Sequence, residues 1–161
     1  MREFLFRWRG TLIFPIVIVV LWIARPSPGF LMLGALLSLL GESLRLWALG
    51  YTGLPTRRQY LDAPVLVTAG PYAHVRNPLY VGNLLNGMAV AVAASGGFPL
   101  PSQVLLLGTC LSILLFVYGM IIPLEEGYLA EQHGECYRDY CRKVPAIMPR
   151  LTAAPGGQGD F

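Results

Sequence analysis

The residue types best suited to binding and proton transfer are concentrated between positions 66 and 82, in a polar stretch that separates two long apolar runs. Its polar and aromatic side chains include Tyr72, His74, Arg76 and Tyr80. Pro78 disfavours a helical backbone at Asn77 and suits the first turn of the apolar helix that follows. The N–H groups at a helix start favour an anion. The stretch is therefore either a capped loop or a ligand site at the mouth of a helix, and its density of Tyr, His and Arg favours the ligand site.

A second polar segment begins at Glu125 and Glu126. Arg76 can hold a carboxylate through two parallel hydrogen bonds, a glutamate can hold an ammonium or a ribose diol, and tyrosine rings can face a cation. These groups predict a pocket for a zwitterionic ligand with an aromatic part. His74, Glu126 and Tyr80 are candidates for a proton-accepting base in such a pocket. A histidine at a position like that of His74 is more often an ordinary loop histidine.

Several other classes of site lack their sequence signals. Cys110 lies in an apolar run, and Cys136 and Cys141 do not share a helix face, so no metal site is predicted. The chain has neither a Walker loop nor a strand-linked GxGxxG motif. We therefore expect none of the usual nucleotide-binding folds, and no nucleic-acid partner.

The composition indicates an integral membrane protein. Of the 161 residues, 55% are hydrophobic and 13% are charged, with a mean hydropathy of +0.55; soluble domains carry about 25% charged residues. We expect one all-α domain over residues 1–150 and a disordered tail over 151–161. The domain is predicted to be a membrane bundle of about four spans, at 11–24, 30–51, 79–98 and 104–122, followed by an amphipathic surface helix at 124–149. Pro123 either ends the fourth span or kinks it.

The distribution of positive charge predicts the orientation in the membrane. Ten of the twelve Lys and Arg residues, all except Arg25 and Arg45, fall in the N-terminal segment, the connection over 54–76 or the region beyond 124. The positive-inside rule therefore places both termini and both polar segments on the cytoplasmic side of the inner membrane. Glu42 and Arg45 lie within a span, where charges are costly, so they either pair with each other or contact a ligand.

Two motifs resemble those of a known family. Val65-Leu-Val-Thr-x-Gly-x-Tyr-x-x-x-Arg-Asn-Pro-x-Tyr80-x-Gly82 and Glu125-Glu-x-x-Leu-x-x-x-x-Gly134-x-x-Tyr137-x-x-Tyr140-x-x-x-Val-Pro145 are similar to signatures of the isoprenylcysteine carboxyl methyltransferase and phospholipid methyltransferase superfamily. The resemblance covers about residues 50–149. The two motifs occur in order with a pair of spans between them, and this combination is more specific than either motif alone.

The resemblance implies an integral membrane methyltransferase that uses S-adenosylmethionine and acts on a lipophilic acceptor among membrane lipids. Cofactor contacts carried over from the family fall on Pro64, Val65, Leu66, Val67, Tyr72, Asn77, Pro78, Leu79, Tyr80 and Glu125. Arg76, Glu126 and His74 are then the candidate catalytic residues. The expected reaction is direct transfer of the methyl group to the acceptor, aided by alignment and the exclusion of water.

Two positions depart from the family pattern. Asn77 stands where the family has His, and an amide can still donate and accept hydrogen bonds. Ile121 stands where the carboxyl methyltransferase branch has an Arg for the substrate carboxylate. Without that charge, an amine or another lipid nucleophile is a more plausible acceptor than the carboxylate of a prenylated cysteine.

Two alternatives to a methyltransferase follow from the same sequence. Membrane sterol reductases share part of the C-terminal architecture and bind NADPH, but this chain has few spans to hold a sterol. A non-catalytic four-span scaffold or small transporter would need charged groups at several membrane depths. Only Glu42 and Arg45 are candidates for such groups.

Overall fold

The computed structural model describes residues 14–52 and 66–155, and the fold within these ranges is helical, without a β-strand. The helices are α1 (Phe14–Ile23), α2 (Pro28–Thr52), α3 (Pro78–Ser95) and α4 (Leu100–Lys143), with a short 3₁₀ turn at Gly70–Ala73. The prediction of an all-α membrane bundle is confirmed. α3 begins at Pro78, as its Asn-Pro start predicts.

Within the described ranges, three helices are long and apolar enough to cross a membrane: α2, α3 and α4. α1 is shorter, and part of the first predicted span, residues 11–13, lies outside the described residues. Large apolar side chains remain exposed along these helices, including Leu36 and Leu40 on α2 and Leu105 on α4. Such surfaces suit contact with lipid tails.

The chain divides into two compact units. Unit 1 comprises Met1–Glu42 and Gly82–Ile121, and unit 2 comprises Ser43–Val81 and Ile122–Phe161. Unit 1 packs through small residues: Val20, Ala91, Ala94 and Cys110 form its buried cluster. On α2, a Cβ added to Gly34 would lie 2.7 Å from the carbonyl oxygen of Ala89 and 2.8 Å from the Cβ of Ala93. Small residues of this kind let membrane helices approach closely.

The position at which α4 changes direction differs from the sequence-based expectation. Pro123 does not end the helix, which continues past it to Lys143. The non-helical residue is Gly134, with φ 56° and ψ −126°. A side chain at that backbone conformation would be strained, so glycine meets a conformational requirement there. Residues 124–133 of the amphipathic segment predicted at 124–149 thus continue the helix of the fourth span, and a second helical piece follows Gly134.

In unit 2, the chain after α4 lies along the segment that precedes α3. Backbone N–H groups of Arg76, Arg150 and Ala154 donate to the carbonyls of Pro145, His74 and Ala73, respectively, at 2.9, 3.0 and 2.9 Å. Ala154 also packs against the buried cluster of Tyr137, Tyr140 and Val144. This contact extends four residues into the segment that the sequence predicts to be a tail, and residues 156–161 lie outside the described ranges.

Candidate functional site

The polar stretch before α3 is shaped by a tight turn. Gly70 has φ 58°, which only glycine adopts without strain, and a Cβ there would lie 2.5 Å from the ring of Tyr51 at the end of α2. Pro71 and Pro78 are fully buried. Their fixed backbone angles restrict the segment between them, which carries most of the predicted site residues.

Arg76 is the most extensively bonded side chain of the site. Its Nε and Nη2 donate to the two carboxylate oxygens of Glu126 at 2.9 and 3.0 Å. Its Nη1 donates to the carbonyls of Cys141 and Val144 at 3.1 and 2.6 Å. A guanidinium has five N–H donors, so most of them bind within unit 2. Arg76 therefore joins the turn before α3 to α4 at two places. One is Glu126, and the other is the C-terminal end of the helix.

The charge of Glu126 supports this arrangement. Burial alone would lower the pKa of Arg76, but the hydrogen bonds and negative charge of Glu126 outweigh it and raise that pKa. Asn77 adds two hydrogen bonds to those of Arg76. Its Nδ2 donates to Glu126 Oε1 at 3.0 Å and to the carbonyl of Ala146 at 3.1 Å. Both N–H groups of the Asn77 amide are thereby used inside unit 2.

The neighbouring carboxylate has a different partner. Tyr80, in the first turn of α3, donates its hydroxyl to Glu125 Oε1 at 2.6 Å. Tyr80 is buried and Glu125 is half-buried. The two adjacent glutamates thus contact the turn at two points, Glu126 at Arg76 and Asn77 and Glu125 at Tyr80. The two motifs found in the sequence meet directly.

Tyr72 lies near Glu125 and bonds to the end of α2 through Thr52. Its backbone carbonyl accepts a hydrogen bond of 2.7 Å from the hydroxyl of Tyr140. Burial raises the pKa of Tyr72 to about 12; a side-chain hydrogen bond with Thr52 lowers that pKa, and the negative charge of Glu125 raises it. The phenol is therefore neutral at physiological pH.

His74 lies on the other side of the turn, against the C-terminal segment. Its Nδ1 is 2.9 Å from the carbonyl oxygen of Arg150, and its ring centroid lies 6.2 Å from that of Trp47 on α2. A carbonyl oxygen can only accept, so Nδ1 carries the proton. In the neutral imidazole the lone pair then resides on Nε2.

Most of the predicted site residues lie in or near one cluster. Arg76, Asn77, Tyr80, Glu125 and Glu126 form this hydrogen-bonded cluster, while Tyr72 bonds to Thr52 and Tyr140. Leu66 packs against Tyr137, Tyr140 and Val144, while Val67 and Leu79 are half-buried. The predictions for Pro64 and Val65 lie outside the described residues.

Sequence reasoning missed several groups that complete the site. The carbonyls of Cys141, Val144 and Ala146 receive hydrogen bonds from Arg76 and Asn77, and Thr52 bonds to Tyr72. Backbone carbonyls carry no sequence signal, so only the structure could assign them. Thr52 directly follows the span predicted at 30–51, and its position at the start of the polar connection could have pointed to it.

Comparison with known proteins gives a consistent result. A sequence model of the phospholipid methyltransferase family (PEMT) matches residues 30–136. The chain is 36% identical over 93 residues to protein-S-isoprenylcysteine O-methyltransferase of Schizosaccharomyces pombe, which covers 54% of this chain and 34% of that protein.

Two further relatives carry names from metal resistance. The chain is 32% identical over 152 residues to the cobalt-zinc-cadmium resistance protein CzcN of Cupriavidus metallidurans, covering 93% of this chain and 57% of that protein. It is 33% identical over 88 residues to the nickel-cobalt-cadmium resistance protein NccN of Alcaligenes xylosoxydans xylosoxydans, covering 54% and 37%. The chain thus spans between about a third and three fifths of the length of these relatives.

Proposed function

The chain belongs to the phospholipid methyltransferase family, and from this premise we propose that it transfers the methyl group of S-adenosylmethionine to a lipophilic acceptor. The observation that carries the proposal is the meeting of the two motifs in unit 2. Glu125 and Glu126 bond directly to the turn that contains Tyr80, Asn77 and Arg76. This pairing supports one binding site built by both motifs.

The chemistry of the donor set fits that ligand. S-adenosylmethionine combines a cationic sulfonium, an ammonium, a carboxylate and a ribose diol. Glu125 Oε1 accepts the hydroxyl of Tyr80, and a carboxylate can accept about four hydrogen bonds. A carboxylate can hold an ammonium or a diol, while the rings of Tyr72 and Tyr80 suit a cation. Leu66, Val67, Pro78 and Leu79 would supply the apolar contacts, together with Pro64 and Val65.

Arg76, Glu126 and Asn77 act in this proposal as positioning residues. Their hydrogen bonds to one another and to three backbone carbonyls fix the turn in which Tyr80 stands. Holding a reactant in its productive geometry is the main contribution that a protein can make to direct group transfer. The cofactor, when bound, supplies an electrophilic methyl group.

We propose His74 as the base for an amine acceptor. Its Nδ1–H is held by the carbonyl of Arg150, which leaves the Nε2 lone pair to accept the proton that an ammonium must lose before it attacks. Replacing His74 by Gln should reduce kcat for an amine acceptor by about 100-fold and leave the affinity for S-adenosylhomocysteine unchanged. An unchanged kcat, or an equal loss of that affinity, would contradict this role.

An amine is the acceptor class that we propose. Ile121, at the position of the Arg found in carboxyl methyltransferases, is buried and uncharged. A buried apolar residue offers a substrate carboxylate no counter-charge, and an unpaired charge in such surroundings is costly. A neutral amine carries no such requirement.

We also propose that the site opens to the cytoplasm from the inner membrane and that both termini lie on that side. The clustering of Lys and Arg in the terminal regions and in the connection before α3 supports this orientation. Cys136 is exposed and Cys110 is buried, so a membrane-impermeant maleimide should label Cys136 in inverted vesicles and not in right-side-out vesicles. Labelling only in right-side-out vesicles would reverse the orientation.

The direct test of the function is a calorimetric titration of detergent-purified protein with S-adenosylhomocysteine. We expect saturable binding that weakens by about tenfold or more in Glu125→Gln, because a charge-assisted hydrogen bond is lost. Glu131→Gln, which removes the same charge at an exposed site on α4, should bind as the wild type does. Tighter binding of NADPH than of S-adenosylhomocysteine would instead favour the reductase alternative.

A further inference from the structure

The segment that follows α4 lies at the start of a candidate membrane span. The carbonyl of Pro145 accepts a hydrogen bond of 2.9 Å from the backbone N–H of Arg76. The carbonyl of Ala146 accepts one of 3.1 Å from the side chain of Asn77. These donors directly precede Pro78, the first residue of α3, which is long and apolar enough to cross a membrane. A chain bonded at the end of a span lies close to the level of the lipid head groups.

Two cations of this segment lie together at the end of α4. Arg150 Nη1 donates to the backbone carbonyl of Lys143, whose own side chain is exposed. Other cations of α4, such as Arg138, form salt bridges with acidic neighbours on the same helix. Within residues 14–52 and 66–155, neither Lys143 nor Arg150 forms a salt bridge. Since residues 140–155 contain no Asp or Glu, the two positive charges favour an anion from outside this part of the chain.

Two large apolar side chains next to these cations face away from the protein. Met148 is 80% exposed and Leu151 is 100% exposed. The backbone between them is fixed, because the N–H of Arg150 donates to the carbonyl of His74 at 3.0 Å. Removing such side chains from water is favourable, in proportion to the apolar area that is buried. The segment therefore combines unpaired positive charge with apolar side chains, as surfaces that bind membranes do.

We propose that Lys143, Met148, Arg150 and Leu151 form a docking surface for anionic phospholipids of the membrane that the protein spans. Lys143 and Arg150 contact lipid phosphates, and Met148 and Leu151 insert below the head groups. A basic residue near an anionic membrane surface strengthens binding by about fivefold. An acidic protein would satisfy the cations but would not account for apolar side chains at the start of a span. The surface lies wholly in unit 2 and does not depend on the proposed methyl transfer.

Native mass spectrometry of the full chain in dodecyl maltoside can test this surface, with phosphatidylglycerol and phosphatidylcholine of the same acyl chains as probes. We expect the wild type to bind phosphatidylglycerol at least about tenfold more tightly than phosphatidylcholine. Lys143→Gln keeps the carbonyl that Arg150 binds, and it should weaken phosphatidylglycerol binding by about fivefold without changing phosphatidylcholine binding. Arg138→Gln removes the same charge from an exposed ion pair on α4 and should bind both lipids as the wild type does.

Glycerol phosphate, a soluble analogue of the head group, separates a lipid surface from a site for a free anion. The double variant Met148→Ser, Leu151→Ser should weaken phosphatidylglycerol binding and leave glycerol phosphate binding unchanged, because only the lipid has acyl chains.

Two outcomes would overturn the proposal. Glycerol phosphate that binds the wild type as tightly as phosphatidylglycerol would show a site for a free anion. Unchanged phosphatidylglycerol binding in Lys143→Gln would show that Lys143 and Arg150 only stabilise the end of α4. None of these measurements uses S-adenosylhomocysteine, so their result is independent of the proposed function.

Discussion

The contacts within unit 1 differ in kind from the contacts within unit 2. In unit 1, helices meet through glycine and alanine, as at Gly34 and Ala89, and the buried cluster is apolar. In unit 2, the turn before α3 is fixed by side-chain hydrogen bonds to carboxylates and carbonyls, above all those of Arg76. Unit 1 should therefore respond most to a change in volume, and unit 2 to a change in charge.

Removal of the Arg76 side chain should have the largest effect on stability. Arg76 and Glu126 are only 13% and 20% exposed, so Arg76→Ala leaves a half-buried carboxylate without its counter-charge and should cost about 3 kcal/mol of unfolding free energy. The measurement is reversible unfolding in mixed detergent micelles.

Arg138→Ala is the matched control for that experiment. Arg138 pairs with Glu135 at 3.1 Å, but the two side chains are 65% and 63% exposed, so the change should cost less than about 1 kcal/mol. Similar losses of unfolding free energy in Arg76→Ala and Arg138→Ala would show that the ion pair of the site stabilises the protein no more than an exposed one.

High pH should also destabilise unit 2. Burial raises the pKa of Tyr72 to about 12, above its ordinary value of 10. The unfolded phenol therefore ionises first, so the stabilisation is complete below pH 10 and is lost as the pH rises toward 12. Over this pH range the wild type should lose about 2 kcal/mol more unfolding free energy than Tyr72→Phe does. The measurement is unfolding of both proteins at a series of pH values. A parallel pH dependence in the two proteins would show that Tyr72 is not the group responsible.

Added side-chain volume between its helices should destabilise unit 1. Gly34→Ala places a methyl group against the backbone of Ala89 and the side chain of Ala93 and should destabilise the protein by about 2 kcal/mol. Gly29→Ala, also on α2, meets no atom within 4 Å and should change stability by less than about 1 kcal/mol. If Gly34→Ala is tolerated as well as Gly29→Ala, close helix packing does not hold unit 1 together.

The smallest of these effects concerns the break in α4. Gly134 has a positive φ but open space around its Cβ, so Gly134→Ala should cost about 1 kcal/mol from backbone strain alone. Gly127→Ala, on the helical part of α4 with equally open surroundings, should instead be neutral or stabilising. Equal gains in unfolding free energy for both variants would mean that α4 is continuous through Gly134.

The sequence predicts the spans and the irregular turn before α3 by different routes. Apolar run lengths predict α2 to within two residues at its start and one at its end, because a span must be long and apolar whatever its neighbours are. The irregular turn before α3 has no periodic sequence pattern. Gly70, Pro71 and Pro78 predict that a turn exists there, but they do not predict which residues it contacts. The Arg76 contacts to carbonyls and the pairing of Tyr80 with Glu125 depend on tertiary structure alone. Gly134, rather than Pro123, interrupts α4 because a helix can continue past a proline, whereas a positive φ cannot be part of it.

The central claim is that the two motifs build one binding site, and a double-mutant cycle on S-adenosylhomocysteine binding tests it most directly. The cycle compares the wild type, Tyr80→Phe, Glu125→Gln and the double variant by calorimetry. Since Tyr80 bonds to Glu125 at 2.6 Å, the two changes should not be independent, and the double variant should bind about as weakly as the weaker single variant. Losses that multiply in the double variant, or an affinity that neither change alters, would contradict the account.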